Sequence, residues 1–276
     1  MKSIGIIGLG SMGGMMLDRF IAGGTPAGNI CAATHNPQKL AQFAARYPGL
    51  KTGSNLEAAK SDIVFICVEP GQFKDVLLEI LPALSESSHI GNIASTVTIA
   101  NVESLIPCKV TKLVPTITSK VGRGVTLVSY NDKITPQDKQ DISGLFAAFG
   151  ELQELPEGDL AYATELTSCG PGLYAYILGQ IASAAQKYTD TVGEAEIRRW
   201  LMETFAGTIA LAEATDMTFD EIVSGVATRG GITEEGVRAM ADMNLNAVFD
   251  AMFRRTLEKR ARNEEKTNSM YEAPKQ

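Results

Sequence analysis

A glycine-punctuated turn close to the start of the chain constrains the fold more than any other feature. The run Ile4-Gly5-Ile6-Ile7 is short and apolar, the pattern of a buried strand, and Gly8, Gly10 and Gly13 follow it at G-x-G-x-x-G spacing. Apolar residues at helical spacing (Met12, Met15, Met16, Phe20) come next. Three glycines in so short a stretch also occur in ordinary loops. Strand, glycine turn and helix in that order instead predict the first βα unit of a dinucleotide-binding domain. Gly8 would permit the tight turn, Gly10 the close approach of backbone to a pyrophosphate, and Gly13 the contact of helix with strand. Leu9, Ser11 and Met12 complete the turn and the helix start, where unpaired N–H groups and the positive dipole end favour an anion.

The rest of the first half extends this unit. Strand-like runs at 3–8, 29–34, 62–68, 89–94, 109–114 and 124–130 alternate with helical patterns at about 11–22, 37–46, 70–84 and 136–149. Several strands are apolar throughout, as expected when helices cover both faces of a parallel sheet. The reading is an α/β fold: an N-terminal Rossmann-type, doubly wound, mostly parallel sheet over residues 1–156, ending at the turn-rich Glu154–Asp159. Residues 157–276 then read as an all-helical C-terminal domain, with helices at about 159–168, 171–189, 194–215, 218–225 and 233–262 and a polar tail expected to fray from about 262. The helix after Pro171 is apolar nearly all round (Leu173, Tyr174, Tyr176, Ile177, Leu178, Ile181). Such a helix has to be enclosed by others, more easily by two chains than by one small domain, so a homodimer or higher homo-oligomer is expected.

Composition narrows the classes. A net charge of −7 over 276 residues argues against nucleic acid or an acidic membrane as general partner. Leu166–Gln186 carries no charge, but Gly170-Pro171-Gly172 breaks it early and Gln180, Ser183 and Gln186 interrupt it, so a core helix is expected rather than a membrane span. No secretory signal is read at the amino terminus, where the strand and glycine turn lie. Cys31, Cys67, Cys108 and Cys169 form no C-x-x-C pair. They read as reduced thiols of a cytoplasmic protein, with neither metal centre nor disulfide framework.

The chemistry-bearing positions follow from the fold. His35 and His89 are the two histidines; His89 begins a predicted strand and reads as structural. The segment Thr34-His35-Asn36-Pro37-Gln38-Lys39 follows the second strand, where the adenosine ribose lies in this fold. It lacks the carboxylate that grips the 2′-hydroxyl of NAD. Thr34, His35, Asn36 and Lys39 suit a 2′-phosphate better, so NADP(H) is favoured, with NAD(H) the alternative. Val68 and Pro70 end the third strand and Ala94 the fourth, where the cofactor crosses the sheet; Glu69 between them reads as a solvent-facing carboxylate. In the second half, Thr167–Gly172 precedes the apolar helix and could present N–H groups to a carboxylate. Ala227–Thr233 also puts glycines before a helix, with Thr233 at the expected N-cap; capping alone would explain it.

Five segments together resemble the pyrroline-5-carboxylate reductase family, along nearly the whole chain. Ile6–Gly13 is similar to the family's amino-terminal fingerprint, and Val68-Glu69-Pro70 stands where the family has V-K-P. Val114-Pro115-Thr116-Ile117-Thr118, followed by Val121-Gly122 and Gly124, resembles M-P-N-T-P with V-G-x-G. Thr167–Gly172 resembles S-G-S-G-P-A, and Thr228–Thr233 resembles S-P-G-G-T-T. The resemblance implies NADPH-dependent reduction of the cyclic imine of pyrroline-5-carboxylate to proline, in a dimer with interlocked helices. It implies that Thr233 orients the imine nitrogen, and that Gly230, Gly231 and Ile232, with Ser168 and Arg229, form the substrate side. Glu69 replaces a lysine, Thr116 an asparagine, Arg229 a proline and Ile232 a threonine, which leaves the substrate open. A hydroxyacid dehydrogenase would need a lysine in the helix after the second glycine motif, where only Lys187 stands, near the far end. A reductase of a different imino acid and a non-catalytic dinucleotide-binding paralogue with a regulatory role remain as alternatives.

Overall fold

The computed structural model describes residues 2–272. Among them, β1 (Ile4–Ile7), β2 (Ile30–Ala33), β3 (Lys51–Thr52), β4 (Ile63–Ile66), β5 (His89–Asn92), β6 (Lys109–Val114), β7 (Gly124–Tyr130) and β8 (Gly150–Glu154) form one sheet in the order β3-β2-β1-β4-β5-β6-β7-β8. All neighbours are parallel except β6 and β7. The first six strands therefore have the doubly wound order, and β7 and β8 extend it with reversed direction.

Helices α1 (Ser11–Ala22), α2 (Pro37–Arg46), α3 (Asn55–Ala58), α4 (Pro70–Ile80), α5 (Ile99–Glu103) and α6 (Pro136–Phe146) connect the strands. Alternation along β4 shows why its residues are all apolar: Ile63 and Phe65 enter one core cluster, Val64 and Ile66 the other. The first cluster centres on Phe20, Phe65, Phe146 and Phe149, with ring centroids 4.5 Å apart for Phe146 and Phe149 and 5.2 Å for Phe20 and Phe65. The second holds Phe73, Leu77, Ile90 and Val110. Truncating a ring such as Phe65 to alanine would cost about 3–5 kcal/mol. Helix starts are chemically marked: Asn36 caps α2 before Pro37, and Thr98 and Thr135 close capping boxes on α5 and α6.

Two strands escape sequence reading. β3 is two residues long, and β8 reads Gly-Glu-Leu-Gln-Glu, polar because it is the edge of the sheet.

The helices that follow are α7 (Leu160–Thr167), α8 (Gly170–Ala185), α9 (Glu194–Thr215), α10 (Phe219–Val226), α11 (Ile232–Asp242) and α12 (Leu245–Ser269). The chain divides into two compact units, one running to Pro171 and resuming at Thr256, the other spanning Gly172–Arg255. Two expectations are corrected. The single helix expected at 233–262 is two helices, broken at Asn244, whose φ of 52° is left-handed backbone that asparagine tolerates well. The tail does not fray from 262: α12 runs to Ser269, Thr267 is buried, and Tyr271 packs on the second core cluster. Hydroxyl and aromatic groups four residues apart give the polar tail a docking face that composition conceals. The apolar helix α8 is not enclosed within its own chain: Tyr174, Tyr176 and Ile181 are 50%, 68% and 38% exposed.

Candidate functional site

β1 lies between β2 and β4, so the chain winds away from it in both directions and a crevice opens past the strands' carboxyl ends. The glycine turn sits there. Gly8 has φ 97°, donates its N–H to Ala33 O at 2.8 Å, and a Cβ on it would stand 2.5 Å from Cys67 O. A Cβ on Gly13 would stand 1.9 Å from Gly8 O, so bare helix backbone is needed at that crossing. Gly10 differs: a Cβ there would have nothing within 4 Å. Gly10 is also the N-cap of α1 and makes no side-chain cap, so its helix end meets open space. An open cradle at a helix amino terminus fits the pyrophosphate of a dinucleotide. Leu9 is buried in the core.

A cleft of about 360 Å³ continues from this turn. It brings together Gly10, Ser11 and Met12 with Val68, Glu69 and Pro70, then Ala94 and Ser95, and Ser168. Asn92, buried at the end of β5, holds the loop beneath: it accepts from Ala94 N at 2.9 Å and donates to Val97 O at 2.8 Å. Ser168 has both donors engaged, its N–H with Thr164 O at 2.9 Å and its hydroxyl with Pro115 O at 3.3 Å. A ligand carboxylate would have to displace the longer bond. At the end of β2, Thr34 Oγ1 accepts from Asn36 N at 3.4 Å and Asn36 Oδ1 from Lys39 N at 3.1 Å. The side chains of His35 and Lys39 are exposed.

Arg260, Thr164 and Cys169 also line the cleft; sequence reading passed over Arg260 and Thr164 and met Cys169 only as a thiol within the Thr167–Gly172 segment. Arg260 donates from Nη2 and Nε to Glu165 Oε1 at 3.0 and 3.2 Å, with the two side chains 12% and 2% exposed. One clue was available: Glu165 is the sole charge between Leu160 and Gln186. A carboxylate in so apolar a stretch needs a partner. Burial, then the Glu165 carboxylate, pushes the Cys169 thiol up. Burial does the same to Cys67, so neither thiol is set up as a nucleophile. A neighbouring recess of about 270 Å³ shares Ser95, Val114, Thr164 and Arg260 with the cleft. Lys112 lies in it, paired with Glu157 at 3.3 Å; burial lowers its pKa and the Glu157 charge opposes the shift.

The second glycine segment lies in the second unit. Gly231, not Thr233, is the N-cap of α11, and Thr233 is the second helical residue. Glu234 explains the difference, because its carboxylate reaches back to Gly230 N at 2.6 Å and ties the loop where a threonine cap was expected. Gly230 has φ 74° and Gly231 N donates to Thr228 O at 2.8 Å, a tight turn that leaves Arg229, Ile232 and Thr233 exposed. Glu234 approaches Arg238 at 3.9 Å, and among the described residues no ion pair joins it to Arg229.

Two family descriptions match separate stretches of the chain. The family described as "NADP oxidoreductase coenzyme F420-dependent" matches residues 3–94, and "Pyrroline-5-carboxylate reductase dimerisation" matches 157–263. Pyrroline-5-carboxylate reductase 3 of Bacillus subtilis is 28% identical over 94% of this chain and 96% of its own. ComE operon protein 4 of the same organism is 26% identical over 92% and 93%. The solved structure of Plasmodium falciparum pyrroline carboxylate reductase with NADP bound superposes with a TM-score of 0.82 at 21% identity, covering 98% of each chain. That likeness is one of fold. Among the described residues no helix is long and apolar enough to cross a membrane.

Proposed function

The chain belongs to the pyrroline-5-carboxylate reductase family, and from that membership we propose that it reduces a cyclic imino acid with NADPH. Pyrroline-5-carboxylate, giving L-proline, is the first candidate substrate. The observation that carries the reading is the open cradle at Gly10, continuous with a cleft whose far wall is Ser168. We assign residues 1–156 to dinucleotide binding and 157–276 to homo-oligomerisation and substrate binding, in keeping with the match over 157–263.

Gly8, Gly10 and Gly13, with the N–H groups of Leu9, Ser11 and Met12, would hold the pyrophosphate. Thr34, His35, Asn36 and Lys39 would meet the 2′-phosphate, and Val68, Pro70 and Ala94 the nicotinamide side. A bound nicotinamide supplies the hydride for the imine carbon. The remaining work is positional, and holding reactants at near-attack distance is a large part of such catalysis. Thr233 hydroxyl orients the imine nitrogen, with solvent as proton source, since threonine is too weak an acid to be a strong donor. The N–H groups around Gly230, Gly231 and Ile232, with Ser168 and Arg229, take the carboxylate. Exposed apolar side chains on α8 such as Tyr176 support assembly of two or more copies through the helical half.

One observation favours a second reading. Glu69 lines the cleft where the family pattern has lysine, and Arg229 replaces a proline. A carboxylate there changes the charge seen by an anionic substrate, so a different imino acid, or binding of the dinucleotide without turnover, is the runner-up. NADPH consumption with pyrroline-5-carboxylate and with six-membered cyclic imino acids decides among them. Turnover of the five-membered imine is expected. Turnover confined to the larger rings would move the substrate, and NADPH binding without turnover of either would establish the non-catalytic reading.

A further inference from the structure

We infer that Thr267, near the end of α12, is a positioning residue that latches the loop Ala94–Val97 against the cofactor cleft. The inference rests on the proposed reading that this cleft holds the nicotinamide side of NADPH.

Proton accounting sets the direction of the latch. Thr267 Oγ1 lies 2.9 Å from Asn263 O, one turn back in its own helix, and spends its single proton there. It also lies 2.8 Å from Thr96 Oγ1, so Thr96 donates and Thr267 accepts. Both residues are 6% exposed, and water does not reach either hydroxyl freely to replace the bond. From beneath, Asn92 brackets the same loop at Ala94 N and Val97 O. The loop is thus held at both ends by β5 and at its middle by α12. Ser95, immediately before Thr96, lines both the cleft and the adjoining recess.

The end of α12 is anchored independently of this bond. Lys74 of α4 donates to Met270 O at 2.5 Å and its ammonium lies 5.5 Å from the Tyr271 ring centroid. Arg260, two turns before Thr267 on the same helix face, reaches the cleft and pairs with Glu165. A fixed helix end can hold a loop; a frayed one could not. The hydroxyl pair therefore orders the backbone that would meet the nicotinamide, while Thr267 itself touches no ligand.

The test compares wild type with Thr267→Val and Thr267→Ser. Valine keeps the shape and removes the acceptor, leaving the Thr96 donor buried without a partner. Amide exchange of Ala94–Val97 in the free protein is expected to rise about tenfold in Thr267→Val, and NADPH affinity to fall about as much. Binding of 2′,5′-ADP, which lacks the nicotinamide half, should stay as in wild type, and serine should restore both quantities to within about twofold. Unchanged exchange at Ala94–Val97 in Thr267→Val would overturn the latch, as would equal loss of 2′,5′-ADP and NADPH binding. A wild type that binds no NADPH would remove the proposed function instead, and the exchange result would still decide whether the loop is latched.

Discussion

Gly8 and Gly13 are in backbone contact across the first strand–helix turn: the position of a Cβ on Gly13 falls 1.9 Å from the Gly8 carbonyl oxygen. No rotamer change relieves an approach to backbone. Gly13→Ala should therefore push α1 away from β1 and lower stability by about 1–3 kcal/mol, read as a fall of several degrees in Tm. Gly10→Ala should leave Tm unchanged, since its Cβ would meet nothing within 4 Å, yet weaken NADPH because that space is where the pyrophosphate would lie. Thermal unfolding and calorimetric titration of the two variants separate packing from binding. Equal effects of both substitutions on Tm would contradict the assignment.

Preference for NADPH over NADH is expected from the exposed His35 and Lys39 after β2 and the lack of a carboxylate there. Charge-assisted bonds to a 2′-phosphate are worth roughly 1.5–3 kcal/mol, or about one to two decades in Kd. Lys39→Glu should reduce or reverse the preference. Calorimetry showing NADH bound as tightly as NADPH by wild type would dismiss it.

Thr233→Ala should lower kcat/KM for the imine by about 100-fold, the effect of losing one preorganised donor. NADPH affinity should hardly move. Unchanged kinetics would remove Thr233 from the mechanism. Arg229→Pro, which restores the residue of the family pattern, should shift preference towards pyrroline-5-carboxylate if the guanidinium meets a second acidic group. Because Arg229 is exposed, folding stability should be unaffected.

His89 makes stability depend on pH. It is 2% exposed, its Nε2 lies 2.7 Å from Thr111 Oγ1, and burial lowers its pKa from 6.5 to about 4, against the opposing charge of Asp138. The folded value lies below the unfolded one, so protons bind the unfolded chain first. Stability is full above about pH 6.5 and declines as the pH falls towards about 4, by on the order of 3 kcal/mol. Denaturant titrations at several pH values should show that decline, and His89→Gln should flatten it. Asp138 acts lower down. Burial alone would raise its carboxyl, but hydrogen bonds from Lys109, Thr135 and Lys2 hold it well below the carboxylate range, so its contribution persists until more acid pH.

Light scattering should find a dimer or larger assembly, since α8 leaves Tyr174, Tyr176 and Ile181 in water within one chain. Tyr176→Glu should favour dissociation. A folded, active wild-type monomer at micromolar concentration would contradict the proposed assembly.

Local chemistry makes the dinucleotide half legible in the sequence alone. The tight turn needs Gly8, the crossing needs Gly13, and apolar runs such as Ile63–Ile66 report a sheet covered on both faces. These are demands of neighbouring backbone, and they leave their mark within a few residues. The polar edge strand Gly150–Glu154 and the break at Asn244 were hidden because neither interrupts a pattern that a single segment carries.

Long-range juxtaposition decided the rest. Arg260 stands 95 positions from Glu165 and Thr267 stands 171 from Thr96, yet both pairs are bonded and bear on the cleft. The polar residues from 262 onward look like a tail until packing shows which of them face protein rather than water. The helix cap at Gly231 rather than Thr233 is, by contrast, a local matter, since Glu234 bonds Gly230 N four residues back. A motif's glycines announce themselves through local sterics. The partners of a buried charge or hydroxyl are known only when the chain has folded, because desolvation rewards whichever group arrives, however distant in sequence.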